Sequence, residues 1–287
     1  MTPPVGAVIV SYNVRPLLLR CIESLRADGV GRIVVVDNAS VDGSAAAAAS
    51  VDGVEIVALD TNLGFGAGAN RGAALLDEPY LLVVNPDVVV DPGSTKLLVD
   101  VLDSSADIGL VAPRIETPDG RLYESVRRFP TLADAVGHAF LHFLWPTNRF
   151  SRRYKMLDWD HAAACDVDWV AGTYLLVRRS AWLDVGGFDE RYFMYMEDVD
   201  LSRRLGIAGW RRRYEPDARI VHEIGRSTDQ TPYRMITAHH LSLYRYVDEI
   251  WQGPRRVLLP FVAAALTVRT GLAWAQRRVR GRPHAAP

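Results

Sequence analysis

Cysteine is nearly absent from this chain of 287 residues, with only Cys21 and Cys165 present. Two thiols so placed offer neither a zinc-ligand spacing nor a disulfide framework, which excludes a small cross-linked secreted domain and fits a reducing cytoplasm. The N-terminus lacks the basic residues and long apolar core of a signal peptide, and the run Val5–Val10 suits only a strand. No internal repeat is present, and no Gly- or Ser-rich linker separates two domains. Acid is missing from the end of the chain. From Ile250 onward there are seven arginines (255, 256, 269, 277, 278, 280 and 282) and no Asp or Glu, so that stretch carries +7 and residues 1–249 carry −8 within a net charge of −1. An acidic body with a basic tail gives any anionic surface to the tail. The apolar run there, Val257–Val268 with Pro260 inside it, is about twelve residues, short of the roughly twenty that a membrane span needs.

What is present is an ordinary share of apolar residues, 49%, in a chain long enough for a substantial core. Val5–Val10, Arg32–Val36, Val54–Leu59 and Tyr80–Val84 are short runs that read as buried strands. Helical spacing fills the gaps at Pro16–Arg26, 44–50 and onward from Gly64 to Leu76. Alternation of strand and helix over the first hundred residues predicts an α/β fold with a doubly wound, parallel sheet. Beyond Ile108–Ala112 the rhythm changes. Asp166–Val170, Tyr174–Val177, Arg211–Tyr214 and Ala218–Val221 read as further strands, Thr231–Glu249 as an amphipathic helix, and 130–160 as a mobile segment over the active site.

In such a sheet ligands bind beyond the carboxyl ends of the strands. Four of these ends carry polar groups: Ser11-Tyr12-Asn13, Asp37, Asn62 and Asp87. Asp37 is anchored behind four apolar residues; its carboxylate suits a base N–H or a ribose hydroxyl, or else an Asx-turn with Ser40. Gly64, Gly66 and Gly68 do not complete G-x-G-x-x-G; they let backbone and Asn70 approach a ligand closely, and Arg71 either reaches an anion or stays solvated. In Asn85-Pro86-Asp87 the proline fixes the backbone and Asp87 presents a carboxylate, enough with a diphosphate to hold Mg²⁺ or Mn²⁺. His222 ends a short strand and as a neutral imidazole completes a metal site beside Asp87, or is structural; Arg226 and Ser227 follow within reach of phosphate.

The stretch Phe188–Leu201 follows the glycines at 186 and 187 and leads into a helix. Glu197, Asp198 and Asp200 crowd its start. They are either helix-end carboxylates, with Asp200 pairing Arg203 or Arg204, or they include a general base whose pKa is tuned by a partly apolar pocket.

Taken in order, these motifs resemble the inverting family 2 glycosyltransferases of the GT-A fold over residues 5–228: Val8–Asn13, Val36–Gly43, Asn62-Leu-Gly64 with Asn70-Arg71-Gly72, and Asn85-Pro86-Asp87 in the place of the family's Asp-x-Asp signature. The first Asp of that signature is Asn here, which leaves one carboxylate for a metal. Trp169–Tyr174, Gly187–Glu190 and Tyr195–Leu201 resemble the acceptor half, in which the Asp of the Glu-Asp pair is the catalytic base and corresponds to Asp198. The resemblance implies a mixed, mainly parallel sheet flanked by helices, a nucleotide-sugar half at 1–112 and an acceptor half at 113–228. It implies donor contacts at Ser11, Tyr12, Asn13, Asp37, Asn62, Gly64, Asn70, Arg71, Asn85, Asp87, Arg226 and Ser227. Acceptor contacts fall at Trp169, Gly172, Thr173, Phe188, Asp189, Glu197 and Asp200, and metal contacts at Asp87 and His222. Within the family the likeness is to rhamnosyltransferases that use dTDP-rhamnose and a polyprenyl-diphosphate-linked N-acetylglucosamine. A UDP- or GDP-sugar transferase, a nucleotidyltransferase and a silent nucleotide-sugar-binding scaffold are the other readings.

Residues 229–287 then form a C-terminal region of amphipathic helix with a basic end, expected to lie on the inner face of the plasma membrane or to pack on the body. A homodimer through these helices is possible, and no upstream segment resembles a nucleic-acid module, so no nucleic-acid partner is expected.

Overall fold

A computed structural model describes residues 5–129, 145, 147–154, 156, 158–223 and 230–280. The apolar runs of the first hundred residues form β1 (Val5–Ser11), β2 (Arg32–Asp37), β3 (Val54–Ala58) and β4 (Tyr80–Val84), with α1 (Arg15–Ala27), α2 (Ser44–Ala49) and α3 (Phe65–Ala73) between them. Then come β5 (Val88–Val90), α4 (Ser94–Ser104), β6 (Ile108–Glu116), β7 (Leu122–Tyr123), β8 (Val126–Arg127) and α5 (Arg149–Tyr154). The second half contributes β9 (Cys165–Asp166), β10 (Trp169–Val170), β11 (Tyr174–Arg178), α6 (Arg179–Val185), α7 (Glu197–Ile207) and β12 (Arg211–His222). The chain continues in α8 (Pro232–Ile250), a 3₁₀ segment (Gly253–Leu258) and α9 (Leu259–Arg280).

The main sheet runs β3-β2-β1-β4-β11-β6-β12-β5, with β7 on β6 and β9 on β12. Its first four strands are parallel. Side chains alternate across it: Ala7, Ile9, Ile33 and Val35 enter one core with Leu18 and Ile22, while Val8, Val10, Val34 and Val36 enter the other with Phe65 and Ala69. Both faces are therefore covered, which is why these strands read as unbroken apolar runs.

The sheet is mixed and mainly parallel, as expected: β11 inserts antiparallel between β4 and β6. Asp166–Val170, expected as one strand, divides into β9 on the main sheet and β10 on a small separate sheet with β8. The two strands expected at 211–214 and 218–221 are one long β12, with a register shift between Glu215 and Arg219 where Pro216 cannot donate to the ladder. Of the segment 130–160, residues 130–144 lie outside the described residues, and 149–154 form α5.

The C-terminal region also differs from expectation. The helical stretch Gly253–Arg278 does not stop at Val268; it runs on through Arg269 and Trp274, has a mean hydropathy of 1.6 over its most apolar window, and is only 6% buried there. By length and composition it is able to cross a membrane, whereas an uninterrupted apolar run counts only twelve residues because it stops at the first arginine.

Candidate active site

The register of the sheet assembles the site. Ser11 pairs with Asp37 at the carboxyl ends of β1 and β2. Val84 pairs with Tyr174, so the backbone N–H of Asn85 donates to the Thr173 carbonyl at 2.9 Å. The antiparallel insertion of β11 is thus what lays Gly172 and Thr173 beside Asn85-Pro86-Asp87. At the other edge β12 pairs His222 with Val88, which carries the imidazole to Asp87.

These groups line one cleft of about 480 Å³: Ser11, Tyr12, Asn62, Asn85 and Asp87 from the first strand ends, and Trp169, Gly172, Thr173, Glu197 and Asp198 from the second half of the chain. Asp37 lies beneath it, buried. One of its carboxylate oxygens accepts from the Ser40 N–H at 2.8 Å, the Asx-turn reading, and the other has no hydrogen-bond partner among the described residues. His222 Nε2 stands 3.1 Å from Asp87 Oδ1, and both residues are buried. Among the described residues Asp87 Oδ1 has no partner beyond that imidazole, and His222 Nδ1 has none. Buried polar atoms without partners are rare in folded proteins, so these mark a place for a ligand. Among the described residues no three His, Cys, Asp or Glu side chains cluster as a metal cage. The pair therefore fits a divalent ion only where phosphate oxygens supply most of the coordination, as Mg²⁺ and Mn²⁺ often require.

Across the cleft, Tyr195 and Met196 have φ of 68° and 69°, the left-handed region that non-glycine residues avoid. That kink ends the loop and starts α7, leaving Glu197 and Asp198 in the first turn facing the cleft. Asp198 Oδ2 accepts from the Gly172 N–H at 2.9 Å and its Oδ1 from the Val199 N–H at 2.8 Å. Glu197 Oε2 accepts from nothing among the described residues. Burial pushes both carboxyls up. Glu197 goes well above the usual carboxylate range, driven by burial and then by the neighbouring Asp198. For Asp198 the burial effect is opposed by the two backbone N–H groups and by Arg127. The two N–H donors stabilise the ionised form of Asp198, support that Glu197 Oε2 lacks among the described residues, and a buried carboxylate with a raised pKa suits a general base.

Other expected contacts stand elsewhere. Asn70 clamps the chain instead of facing ligand: its amide donates to the Phe188 carbonyl at 2.8 Å and accepts from the Phe188 N–H at 2.9 Å. Arg71 donates to the Ala67 carbonyl and pairs with Glu190. Phe188 is buried against Phe65 and Trp182. Asp189 is held by Arg191. Asp200 is fully buried and bonded to both Arg203 and Arg204. Asn13 ties the first two strand-end loops, accepting from the Val41 N–H. Gly64, at φ 92°, serves a close approach of backbone to backbone: a methyl there would collide with the Phe193 carbonyl, which accepts from the Phe65 N–H at 3.1 Å. Arg226 and Ser227 lie outside the described residues.

The cleft also contains residues that were not among the expected contacts. Asn38 donates to the Gly64 carbonyl and accepts from the Leu63 N–H, fixing the glycine loop. Arg127 lies over the rings of Tyr154 and Trp169, and Arg234 and His239 enter from α8. Asn38 follows Asp37 directly and was open to notice; the others reach the site only through tertiary packing.

A mixed, mainly parallel sheet that gathers a nucleotide-type strand edge and an acidic helix start around one cleft defines a GT-A glycosyltransferase. The comparisons agree. Residues 7–171 match the model of glycosyl transferase family 2, and residues 130–277 match that of glycosyl transferase family group 2. The chain belongs to glycosyl transferase family 2. It is 37% identical to the N-acetylglucosaminyl-diphospho-decaprenol L-rhamnosyltransferase of Mycobacterium tuberculosis, over 97% of each chain. It is 29% identical to the rhamnosyltransferase WbbL of Escherichia coli, over 84% of this chain and 91% of that one. The solved structure of a mannosyltransferase from Pyrobaculum calidifontis in complex with GDP-Man and Mn²⁺ shares the fold at a TM-score of 0.60 and 16% identity, over 98% of this chain and 76% of that one.

Proposed function

We propose that this glycosyltransferase moves L-rhamnose from dTDP-rhamnose onto a prenyl-diphosphate-linked N-acetylglucosamine, with inversion at the anomeric carbon. The observation that carries the reading is the pairing of Asp198, braced by the Gly172 and Val199 N–H groups, with the Asp87–His222 corner of the same cleft. The likeness to two rhamnosyltransferases supports the sugar, and the name of the mycobacterial one supports the acceptor.

In this reading the acceptor hydroxyl gives its proton to the Asp198 carboxylate as its oxygen bonds to the anomeric carbon. The bond from that carbon to the diphosphate breaks, and the nucleoside diphosphate leaves with the electron pair. Mg²⁺ or Mn²⁺, when bound, neutralises the charge that develops on the diphosphate. Asp87 and His222 would hold it, and Asn85 in place of a second carboxylate leaves more of the coordination to the donor. Ser11, Tyr12, Asp37 and Asn62 flank the nucleotide side. Trp169, Thr173 and Glu197 face the acceptor sugar.

We assign the exposed apolar residues of the C-terminal helix, Phe261, Val268 and Leu272 among them, to the inner leaflet of the plasma membrane, next to a basic end suited to anionic lipid. A homodimer through that face is the competing use, read from the particle mass in detergent.

The test is transfer by the purified protein from dTDP-rhamnose, UDP-glucose, UDP-N-acetylglucosamine or GDP-mannose to a synthetic N-acetylglucosaminyl-diphospho-prenol, with Mg²⁺, with Mn²⁺ and with chelator. Rhamnosyl product that requires metal is expected. Transfer from a UDP- or GDP-sugar alone would overturn rhamnose, and turnover of none would favour a silent nucleotide-sugar-binding scaffold.

A further inference from the structure

Beside the catalytic cleft lies a second and larger groove, about 1030 Å³, between α8, α9 and the loop before α7. Phe193 and Arg234 belong to the walls of both, so one ligand can pass from one into the other. On α8 the groove is lined at helical spacing by Arg234, Ala238, Leu241 and Arg245, and α9 adds Trp274 from the opposite side.

Charge in the groove is uneven. Arg191 is matched by Asp189 and Glu249, and Arg256 by Asp248. Arg234 has no ion pair or hydrogen bond among the described residues; its guanidinium lies 4.4 Å over the Phe193 ring. Stacking on a ring engages the face of a guanidinium and leaves its edge N–H groups free, which suits a phosphate oxygen pair. Arg245, at the other end of the α8 face, likewise has no ion pair among the described residues, and between the two cations the wall is apolar, with Leu241 65% exposed and Trp274 39% exposed. Apolar surface continues onto the lipid-facing residues of α9.

We infer that this groove seats the diphosphate and first isoprene units of the lipid acceptor, with Arg234 on the diphosphate and Leu241 and Trp274 on the isoprenoid. The order of groups fits the order of the ligand: sugar in the cleft at Asp198, diphosphate at the shared wall, hydrocarbon along α8 towards the membrane helix. The inference rests on the proposed acceptor and adds the place where its lipid part is held.

Farnesyl diphosphate is the probe, titrated calorimetrically against the full chain in detergent, with dTDP-rhamnose titrated in parallel. Arg234→Gln is expected to weaken farnesyl diphosphate by about tenfold or more, and by more than it weakens dTDP-rhamnose, with Arg234→Lys restoring part of that loss. Leu241→Glu, at a position exposed enough to leave the fold intact, is expected to weaken the probe comparably. Unchanged probe binding in both Arg234→Gln and Leu241→Glu would overturn the inference, as would an Arg234→Gln loss that falls on dTDP-rhamnose instead. Displacement of the probe by phosphatidylglycerol vesicles would reassign the groove to bulk lipid headgroups. The two readings fail separately: probe binding lost in the variants of a protein that transfers no rhamnose keeps the groove and rejects the donor, and rhamnose transfer without probe binding does the reverse.

Discussion

Replacing Asp198 by Asn keeps the shape of the side chain and removes its ability to take a proton. Two effects follow, and the structure separates them. Asp198 accepts from Gly172 N–H on one oxygen and from Val199 N–H on the other. An amide can serve only one of these, and its NH₂ faces the other donor, so one backbone N–H loses its partner at a cost of about 1–3 kcal/mol in stability. The second effect is on the reaction, where loss of a general base removes about 10²–10⁴ in rate, or about 3–5 kcal/mol of transition-state stabilisation. Thermal melts report the first, single-turnover transfer of labelled rhamnose the second, and calorimetric titration of the donor, whose affinity should stay within about twofold, checks that binding is intact. The pH profile adds an independent sign. The base must be ionised to accept a proton, and burial raises its pKa, so wild-type turnover should fall as pH drops through a value above the ordinary carboxylate range. The residual turnover of the variant should lack that acid limb. A variant that transfers within about tenfold of wild type, or one that loses donor affinity and keeps turnover, would refute the assignment.

Gly64→Ala should lower stability by at least about 1–3 kcal/mol from the left-handed backbone alone, with the collision against the Phe193 carbonyl added, and a melt unchanged from wild type would contradict the packing described. Asp200→Asn should cost about 3–5 kcal/mol in denaturant titrations, since Arg203 and Arg204 both lose a buried carboxylate, yet the folded fraction should bind donor normally; loss of acceptor affinity without loss of stability would return Asp200 to the site. His239 is lowered to about 4 by burial, with His240 and Arg269 adding to it. The unfolded chain therefore binds a proton near pH 6.5 that the native one refuses until about 4, and acidification across that window should remove at most about 3 kcal/mol. His239→Gln should flatten that part of the melting profile, and parallel wild-type and variant slopes would rule the effect out.

The strands, their parallel pairing and the polar ends that make the nucleotide side were legible in the sequence because each is a local property. A buried parallel strand must be apolar on both faces, so β1, β2 and β4 appear as unbroken runs, and the residues that end them must be polar because they face the cleft. The start of α7 was legible for the same reason: three acids together at a helix N-terminus are conspicuous wherever they end up. What they do was not. Asp198 and Asp200 are two residues apart on one helix, yet one lies against the Gly172 and Val199 N–H groups in the cleft and the other is buried between arginines. Asn70 had equal claim to a ligand until Phe188, far along the chain, took both ends of its amide.

Tertiary structure alone decided the antiparallel place of β11, which brings Gly172 and Thr173 to Asn85, and the docking of β12 on β5, which brings His222 to Asp87. It also decided that Arg234 is left without a carboxylate among the described residues, in a groove built by helices that follow the catalytic body. A sequence states which groups are charged and which segments are apolar. Which partner each group meets depends on hydrogen bonds and burial between segments distant in the chain, and those exist only once the sheet has closed.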